Sequence, residues 1–235
     1  MQMRTIQKIG IISPGAMGIS VAATMQRSGF EVYWASAGRS ANSVARAEAH
    51  NLIDAQTVAN LCAECEAIVS VCPPHTAVSV AEEVLATGFS GVYLDANAIA
   101  PQKARHMAQM MAAAGVVFVD GGIIGGPAWE PERTWLYLSG EQAEWVASFF
   151  AAGFLETAVI GDKIGQASAL KMCFAAYTKG STALLSLILA GAEALGVRAN
   201  LEAQWSRGGS DFAAQTQQRV RRVTAKAWRF EGEMH

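Results

Sequence analysis

Over the first 160 residues, short apolar runs alternate with amphipathic stretches, and this alternation constrains the fold more than any other feature of the chain. Apolar runs such as KIGIIS (8–13) and AIVSVC (67–72) are typical of strands buried on both faces. Between such runs, AMGISVAATMQRSG (16–29) predicts a helix, as does PQKARHMAQMMAAAG (101–115) with its proline start and glycine stop. The repeated strand–helix–strand order predicts an α/β fold with a mostly parallel, doubly wound sheet.

A second region, made of helices alone, is predicted after Gly165. The boundary is placed in GDKIG (161–165), with a sheet domain over 1–163 and a helical domain over 164–235. The sequence ends in TAKAWRFEGEMH, within a predicted helix that has no C-terminal cap. We therefore expect the helical domain to be incomplete at its C-terminal end. The remaining predicted strands are FEVYWAS (30–36), GVYLDANAI (91–99), TWLYLSG (134–140), TAVIGD (157–162) and VVFVDGGIIGG (116–126), which runs into a glycine-rich loop.

Composition limits the partners and the location of the protein. Charged residues make up 16% of the chain and the net charge is −2, so no nucleic-acid footprint is visible. The start, MQMRTIQKIG, has no long apolar run, and the most apolar run, TALLSLILAGA (182–192), has 11 residues where a bilayer span needs about 20. We expect a cytoplasmic protein with no membrane association. The 51% apolar content, with little charge, predicts a homodimer through the helices after residue 165.

The cysteines predict neither a disulfide nor a metal site. A reducing compartment disfavours disulfides among the four cysteines. Cys62 and Cys65 form a single CxxC without a second pair, so zinc is not expected. The pair precedes a strand, whereas redox pairs of the thioredoxin type usually open a helix after one. Packing is therefore favoured over redox use for this pair.

The turn after the first predicted strand has the spacing of a dinucleotide-binding fingerprint. In GIISPGAMG (10–18), Ser13, Gly15 and Gly18 occupy the three positions of GxGxxG. Gly15 lets the backbone approach a pyrophosphate, Gly18 lets the helix pack against the strand, and the helix N-terminus offers free N–H groups. Ser13 in place of the first glycine makes the match imperfect. The alternative is an ordinary strand-to-helix turn; the favoured interpretation is a Rossmann-type phosphate site.

The end of the second predicted strand bears on the choice between NAD and NADP. An NAD enzyme usually places a carboxylate here to hold the ribose hydroxyls, but this chain has Ser36, followed by Arg39 and Ser40. A guanidinium can fork onto a 2′-phosphate, and the hydroxyls of Ser40 and Ser43 can add to it. NADP is therefore favoured over NAD. The alternative is a solvated loop arginine.

Lys171 stands alone among uncharged residues. In IGQASALKMCFAAYTKG (164–180), the seven positions on either side of it carry no charge. A buried, unpaired ammonium is costly and usually lowers its pKa. Either Lys171 reaches water as a structural lysine, or it lies at the wall of a pocket and carries protons.

With these motifs, the chain resembles the beta-hydroxyacid dehydrogenase family, which includes 6-phosphogluconate and 3-hydroxyisobutyrate dehydrogenases. The resemblance runs over roughly residues 7–200 and is closest to the phosphogluconate dehydrogenase-like members. It implies an NADP-binding Rossmann-type domain followed by an all-α domain for substrate and dimerisation. It also implies hydride transfer at the nicotinamide, with a helix lysine as acid and base. The phrases that carry it are SPGAMG, VCPPH, LDANAIAP, VDGGIIGG, KMCFAAYTKG and KAWRFEGEM.

Carried over by position, the resemblance assigns Lys171 to the family's catalytic lysine. It assigns Arg39 and Ser40, beside Ser36, to the 2′-phosphate, and Asn97 to the nicotinamide ribose. His75 is a candidate second proton carrier, although a structural role is favoured. The pyrophosphate falls to Ser13, Pro14, Gly15, Ala16 and Met17, and the adenosine side to Cys72, Pro73 and Pro74.

Two departures from the family pattern concern the substrate. The family's DxPVSGG reads DGGIIGG here, so Ile124 replaces the substrate-binding serine, and Ala175 replaces an asparagine one turn after the lysine. A more apolar or aromatic small-molecule substrate is therefore expected, although such residues more often form core. The leading hypothesis is an NADP-dependent oxidoreductase acting on C–OH/C=O; the alternatives are an imine reductase and a catalytically weak NADP-binding regulatory protein. The candidate substrate residues are Gly122, Ile123, Ile124, Trp129, Phe174 and Tyr177.

Overall fold

A computed structural model describes residues 6–224; the phrase KAWRFEGEM lies outside the described residues. Within them, eight strands form one sheet in the order β3-β2-β1-β4-β5-β6-β7-β8, in which only the β6–β7 pair is antiparallel. The first six follow the order of a dinucleotide-binding fold, and the predicted doubly wound sheet is confirmed. The strands are β1 (Lys8–Ile12), β2 (Glu31–Trp34), β3 (Ile53–Asp54), β4 (Ala67–Ser70), β5 (Val92–Asp95), β6 (Val117–Ile124), β7 (Thr134–Ser139) and β8 (Leu155–Gly161).

Helices cover both faces of this sheet. They are α1 (Ala16–Arg27), α2 (Ala41–Ala49), α3 (Val58–Glu64), α4 (Ala77–Ala86), α5 (Pro101–Ala113) and α6 (Ala143–Ala147). One apolar core joins the sheet to α1, α2 and α6, and the other joins it to α3, α4 and α5. The short elements β3 and α3 were not predicted, because two to seven residues are too few for a periodic pattern.

The chain divides into two compact units between Lys171 and Met172. The predicted functional domains, 1–163 and 164–235, stay predictions. In the second unit, Arg219 donates to the Thr178 carbonyl oxygen at 2.6 Å and to the Thr182 hydroxyl at 2.6 Å. These bonds join the last described helix to the helix that begins at Ser181 and to the turn just before it. The helices after β8 are α7 (Gln166–Ala175), α8 (Ser181–Ala194), α9 (Arg198–Trp205) and α10 (Phe212–Thr224).

One helical segment in the described part of the chain is long and apolar enough to cross a bilayer, by length and composition. It runs over Gln166–Ala194 for 29 residues, because a π-helical turn at Ala176–Gly180 joins α7 to α8. The 11-residue argument from the sequence therefore no longer applies. At its start, Ala167 and Ser168 are fully buried by protein. The absence of a membrane role stays a prediction.

Candidate active site

The turn between β1 and α1 has the tight geometry that a phosphate-binding fingerprint requires. Ser13 has a φ of 66°, in the left-handed region where glycine is the usual residue, which explains why the fingerprint has glycine there. The Gly15 N–H donates to the Ser13 carbonyl oxygen at 2.7 Å. A Cβ at residue 18 would lie 2.4 Å from that same oxygen, so α1 can approach the turn only with glycine at this position.

The residues of this turn fit a bound pyrophosphate. Gly15 has an ordinary φ of −68°, and a Cβ there would meet within the protein only the Ser13 carbonyl oxygen at 3.9 Å. Nothing in the fold requires glycine at residue 15, whereas a phosphate approaching the backbone does. No side chain caps α1, and its first turn holds no acid, so its N–H groups and positive dipole end remain available to an anion.

Two guanidinium groups flank the turn. Arg39 Nη1 donates to the Ser13 hydroxyl at 3.1 Å, while its Nε is buried without a hydrogen-bond partner. Arg46, which the sequence analysis missed, donates from Nε to the Pro14 carbonyl oxygen at 3.2 Å and from Nη2 to the Ser43 hydroxyl at 3.3 Å. Neither arginine forms an ion pair with a described carboxylate. An unpaired donor beside the turn fits an additional phosphate.

The hydroxyl predicted to assist Arg39 has a structural use. Ser40 is the N-cap of α2, and its hydroxyl oxygen accepts from the Ser43 N–H at 3.4 Å. The same hydroxyl lies 3.2 Å from the Ser43 hydroxyl. Any contact of Ser40 with a ligand would therefore be made by a group that already caps a helix.

The carboxylate of Asp54, on β3, lies beside Ser36, which follows β2. Asp54 Oδ1 accepts from the Ser36 N–H at 3.2 Å and from the Gln56 N–H at 2.7 Å. The sequence shows no acid at residue 36, but parallel pairing of β3 with β2 brings Asp54 beside it. A carboxylate disfavours a nearby 2′-phosphate and suits ribose hydroxyls, whereas a guanidinium favours the phosphate.

The ends of β4 and β5 are tied together by Asn97. Its Oδ1 accepts from the Cys72 N–H at 2.6 Å, and its Nδ2 donates to the Ser70 hydroxyl at 3.1 Å and to Asp95 Oδ2 at 2.8 Å. Asn97 is 2% exposed and both of its amide hydrogens are used, so its side chain holds the segment that starts at Cys72. Burial raises the pKa of the Cys72 thiol, and hydrogen bonds with the Thr76 and Ser70 side chains lower it by smaller amounts.

Pro73 and Pro74 continue this segment. Pro74 begins a 3-10 turn, Pro74–Thr76, that leads into α4, and His75 within it is exposed.

Two carboxylates lie side by side on neighbouring strands, Asp95 on β5 and Asp120 in register with it on β6. Burial, with a smaller contribution from the Asp120 charge, raises the pKa of Asp95 to about 7. The described residues contain no group of acidic, histidine or cysteine side chains that could hold a metal ion.

Lys171 lies over a strand that continues past the edge of the sheet. The DGGIIGG segment was expected to form a loop, but β6 runs as a strand to Ile124, beyond the level of Asp95 where β5 ends. A Cβ at residue 122 would lie 3.0 Å from the Lys171 Cβ and 2.9 Å from the Ala167 carbonyl oxygen. Glycine at residue 122 thus lets α7 pack directly on β6. No hydrogen bond or ion pair joins the Lys171 ammonium to a described residue, and burial lowers its pKa.

A sequence profile described as the NAD binding domain of 6-phosphogluconate dehydrogenase matches residues 8–150. This chain belongs to that family. No functionally curated protein sequence matches the chain. The match covers β1 to β7, the phosphate turn and both arginines, and it confirms the predicted family and its NAD(P)-binding Rossmann-type domain.

Solved structures extend the similarity into the helical part. A conserved protein of unknown function, described as structurally similar to 3-hydroxyacid dehydrogenases, is 27% identical, with a TM-score of 0.73 over 96% of this chain and 86% of that one. A 3-hydroxyisobutyrate dehydrogenase from Mycobacterium tuberculosis with L-serine is 19% identical, with a TM-score of 0.68 over 89% and 73%. An imine reductase variant from Myxococcus stipitatus in complex with NAD+ is 18% identical, with a TM-score of 0.67 over 96% and 77%.

Together, the family and these folds support the predicted class, an NAD(P)-dependent oxidoreductase of the dehydrogenase or reductase type. The two positions at which the sequence departs from the pattern implied by the resemblance, 124 and 175, hold apolar residues. Ile124 shares a face of β6 with Gly122, the residue under Lys171, because side chains alternate along a strand. Ala175, one turn along α7, is buried.

Two of the other predicted substrate residues, Ile123 and Trp129, contact parts of the first unit other than Lys171. Ile123 points to the opposite face of β6 and is 6% exposed, in the core that α1 and α6 share. Trp129 stacks on His50, the C-cap of α2, with ring centroids 5.2 Å apart. Phe174 and Tyr177 belong to the second unit and are 42% and 67% exposed. The substrate contacts of these four residues stay predictions.

Proposed function

We propose that this chain is an NADP-preferring oxidoreductase that interconverts a carbonyl group and an alcohol, with Lys171 as the general acid and base. The observation that carries the proposal is the Lys171 ammonium. It is half-buried over Gly122, just beyond the edge at which the phosphate turn lies, and no described acid pairs with it. A lysine held in this way can exchange protons with a ligand.

The chemistry of each direction follows from the charge of this lysine. When bound, the nicotinamide supplies or accepts the hydride. In reduction, the ammonium donates a proton to the carbonyl oxygen, and in oxidation the neutral amine accepts the proton of the hydroxyl group. Because burial lowers the Lys171 pKa, both protonation states are accessible nearer to neutral pH than for a solvated lysine.

The preference for NADP is supported by the donor that the fold leaves unpaired. Arg39 Nε has no partner although it is buried, and Nη1 of the same guanidinium already touches the phosphate turn through Ser13. A 2′-phosphate beside the turn would satisfy this donor and accept a charged hydrogen bond. The opposing charge of Asp54 sets how strong the preference is.

The test is turnover of a panel of aldehydes, ketones and hydroxy compounds with each cofactor, by wild type and by Lys171→Ala. General acid–base catalysis usually contributes about 10²- to 10⁴-fold, so turnover should fall by that factor while cofactor binding is retained. Lys163→Ala is the matched control, since Lys163 is exposed in the loop just before α7. Full activity of Lys171→Ala would disprove the role. Cofactor binding without any turnover in the wild type would favour a regulatory NADP-binding protein.

Reduction of an imine is the second candidate. Ile124 presents an apolar side chain on the Lys171 face of β6 where the family pattern has a serine, which suits a substrate without a carboxylate. The imine reductase among the similar structures has the same fold, and at 18% identity it supports the fold alone. Cyclic imines in the same panel separate the two candidates: turnover of imines but not of ketones would favour the second.

Self-association is part of the proposal. The second unit exposes large apolar side chains on α8 and just after it: Leu184 is 58% exposed, Leu187 70% and Leu195 79%. Burying them against a second copy would remove this area from water, so we propose a homodimer through this surface. We also propose a cytoplasmic location and a small-molecule substrate, because the chain belongs to the 6-phosphogluconate dehydrogenase family.

A further inference from the structure

The most densely bonded acid in the described chain is Asp120, at the level where β5 ends. Its side chain is fully buried. Oδ2 accepts from the Ser139 hydroxyl at 2.9 Å, from the Gly165 N–H at 2.9 Å and from the Ser168 N–H at 3.0 Å. Oδ1 accepts from the Ser168 hydroxyl at 2.5 Å. Four donors from three segments therefore converge on one carboxylate.

These bonds fix the start of α7. The first N–H groups of a helix have no partner within it, and an acid at this end satisfies them and complements the helix dipole. Here the acid is contributed by a strand rather than by the preceding loop. The Ser139 hydroxyl, on β7, also accepts from the Ala167 N–H at 3.0 Å, so two neighbouring strands hold the first turn.

The same strand sets the height of Lys171. Asp120 and Gly122 lie two residues apart on β6 and therefore face the same side. Asp120 binds the first turn of α7, and Gly122 supports the next turn, where the Lys171 Cβ lies. One strand thus both anchors the helix and provides the surface on which the lysine lies.

We propose that Asp120 is the positioning residue for Lys171, acting by holding the first turn of α7 on β6. This inference rests on the proposed function of Lys171. A misplacement of about 1 Å can cost on the order of 10²-fold in rate, so loss of this anchor lowers kcat although Asp120 does not touch the substrate.

Asp120 acts through position and not through its charge. Burial alone lowers the Lys171 pKa, with no contribution from Asp120. In Asp120→Asn, the amide oxygen can take the place of Oδ2 and keep its three donors. The amide nitrogen then stands in place of Oδ1 and donates to the Ser168 hydroxyl, which can accept. The asparagine variant keeps the geometry without the charge, whereas Asp120→Ala loses both.

The experiment compares wild type, Asp120→Ala, Asp120→Asn and Asp162→Ala. Asp162 is exposed just before α7, so its replacement removes the same charge without touching the anchor. Two quantities are measured: kcat and KM on a substrate found in the panel, and the pH dependence of Lys171 acetylation by trace acetic anhydride, read by mass spectrometry. The second needs no substrate. Ser168→Ala, which removes one bond of the four, is included in case Asp120→Ala does not fold.

We expect Asp120→Ala to lower kcat roughly 10- to 100-fold. KM and cofactor affinity should stay within about 2-fold, and the acetylation midpoint should move up toward that of a solvated lysine. Asp120→Asn should recover kcat to within about 3-fold, Ser168→Ala should show a smaller loss, and Asp162→Ala should match wild type. An unchanged acetylation midpoint in Asp120→Ala, or in Ser168→Ala if Asp120→Ala does not fold, would overturn the inference, as would Asp120→Asn being as damaging as Asp120→Ala. Full activity of Lys171→Ala would instead remove the proposed function, and the acetylation result would still decide whether Asp120 holds the lysine.

Discussion

Replacing Arg39 with alanine should separate the two cofactors. The charged hydrogen bond from Arg39 to a 2′-phosphate contributes about 1.5–3 kcal/mol, so NADP should bind roughly 10- to 150-fold more weakly in Arg39→Ala. NAD carries no 2′-phosphate and should lose only the support that Arg39 Nη1 gives to the Ser13 hydroxyl. That indirect effect is worth about 0.5–1 kcal/mol, or roughly 2- to 5-fold.

Isothermal titration calorimetry with NADP+ and NAD+ at fixed ionic strength measures both losses. Arg207→Ala is the matched control, because Arg207 is exposed in the second unit and its removal changes the net charge equally. Asp54→Asn should change the ratio in the opposite direction, favouring NADP, since it removes the opposing carboxylate beside Ser36. Equal losses for both cofactors in Arg39→Ala would refute the assignment of this arginine to the 2′-phosphate.

Three further outcomes follow from the structure. Burial raises the pKa of Asp95 to about 7 in the folded state, above its ordinary value. Its contribution to the free energy of unfolding is therefore complete at low pH and is lost as the pH rises through 7. In urea unfolding, the free energy of unfolding of wild type should fall between about pH 4 and 7 more steeply than that of Asp95→Asn. Gly18→Ala should abolish binding of both cofactors or destabilise the fold, because its Cβ would lie 2.4 Å from the Ser13 carbonyl oxygen, and circular dichroism with titration of both cofactors checks this. Light scattering at micromolar concentration should give a dimeric mass for wild type and a lower mass for Leu187→Glu; a monomeric wild type would argue against the α8 surface.

Local patterns were sufficient to predict the frame of the first unit. The apolar runs at 8–13 and 67–72 are buried on both faces, so β1 and β4 could be recognised from composition alone. The fingerprint around Gly15 and Gly18 could be recognised because its requirements are steric and confined to one turn. These features depend on neighbours in sequence.

The rest depends on partners far apart in the chain. Asp54 lies beside Ser36 only because β3 pairs with β2, and a two-residue strand has no pattern to read. Asp120 was read as the start of a substrate loop, but its role as the anchor of α7 depends on Gly165 and Ser168, more than 40 residues later. The extension of β6 was hidden by its glycines, which usually end strands and here admit a helix.

The left-handed Ser13 and its bond to Arg39 have a consequence for redesigning this protein. A serine at φ 66° is strained relative to glycine, and its hydroxyl is what the guanidinium holds. Exchanging residue 39 to switch the coenzyme would therefore also release a strained loop that both coenzymes share. A successful switch needs paired changes, with Ser13→Gly relaxing the loop at the same time as residue 39 is altered. Libraries that vary only the segment between β2 and α2 would recover weakened binders of both coenzymes rather than a clean reversal.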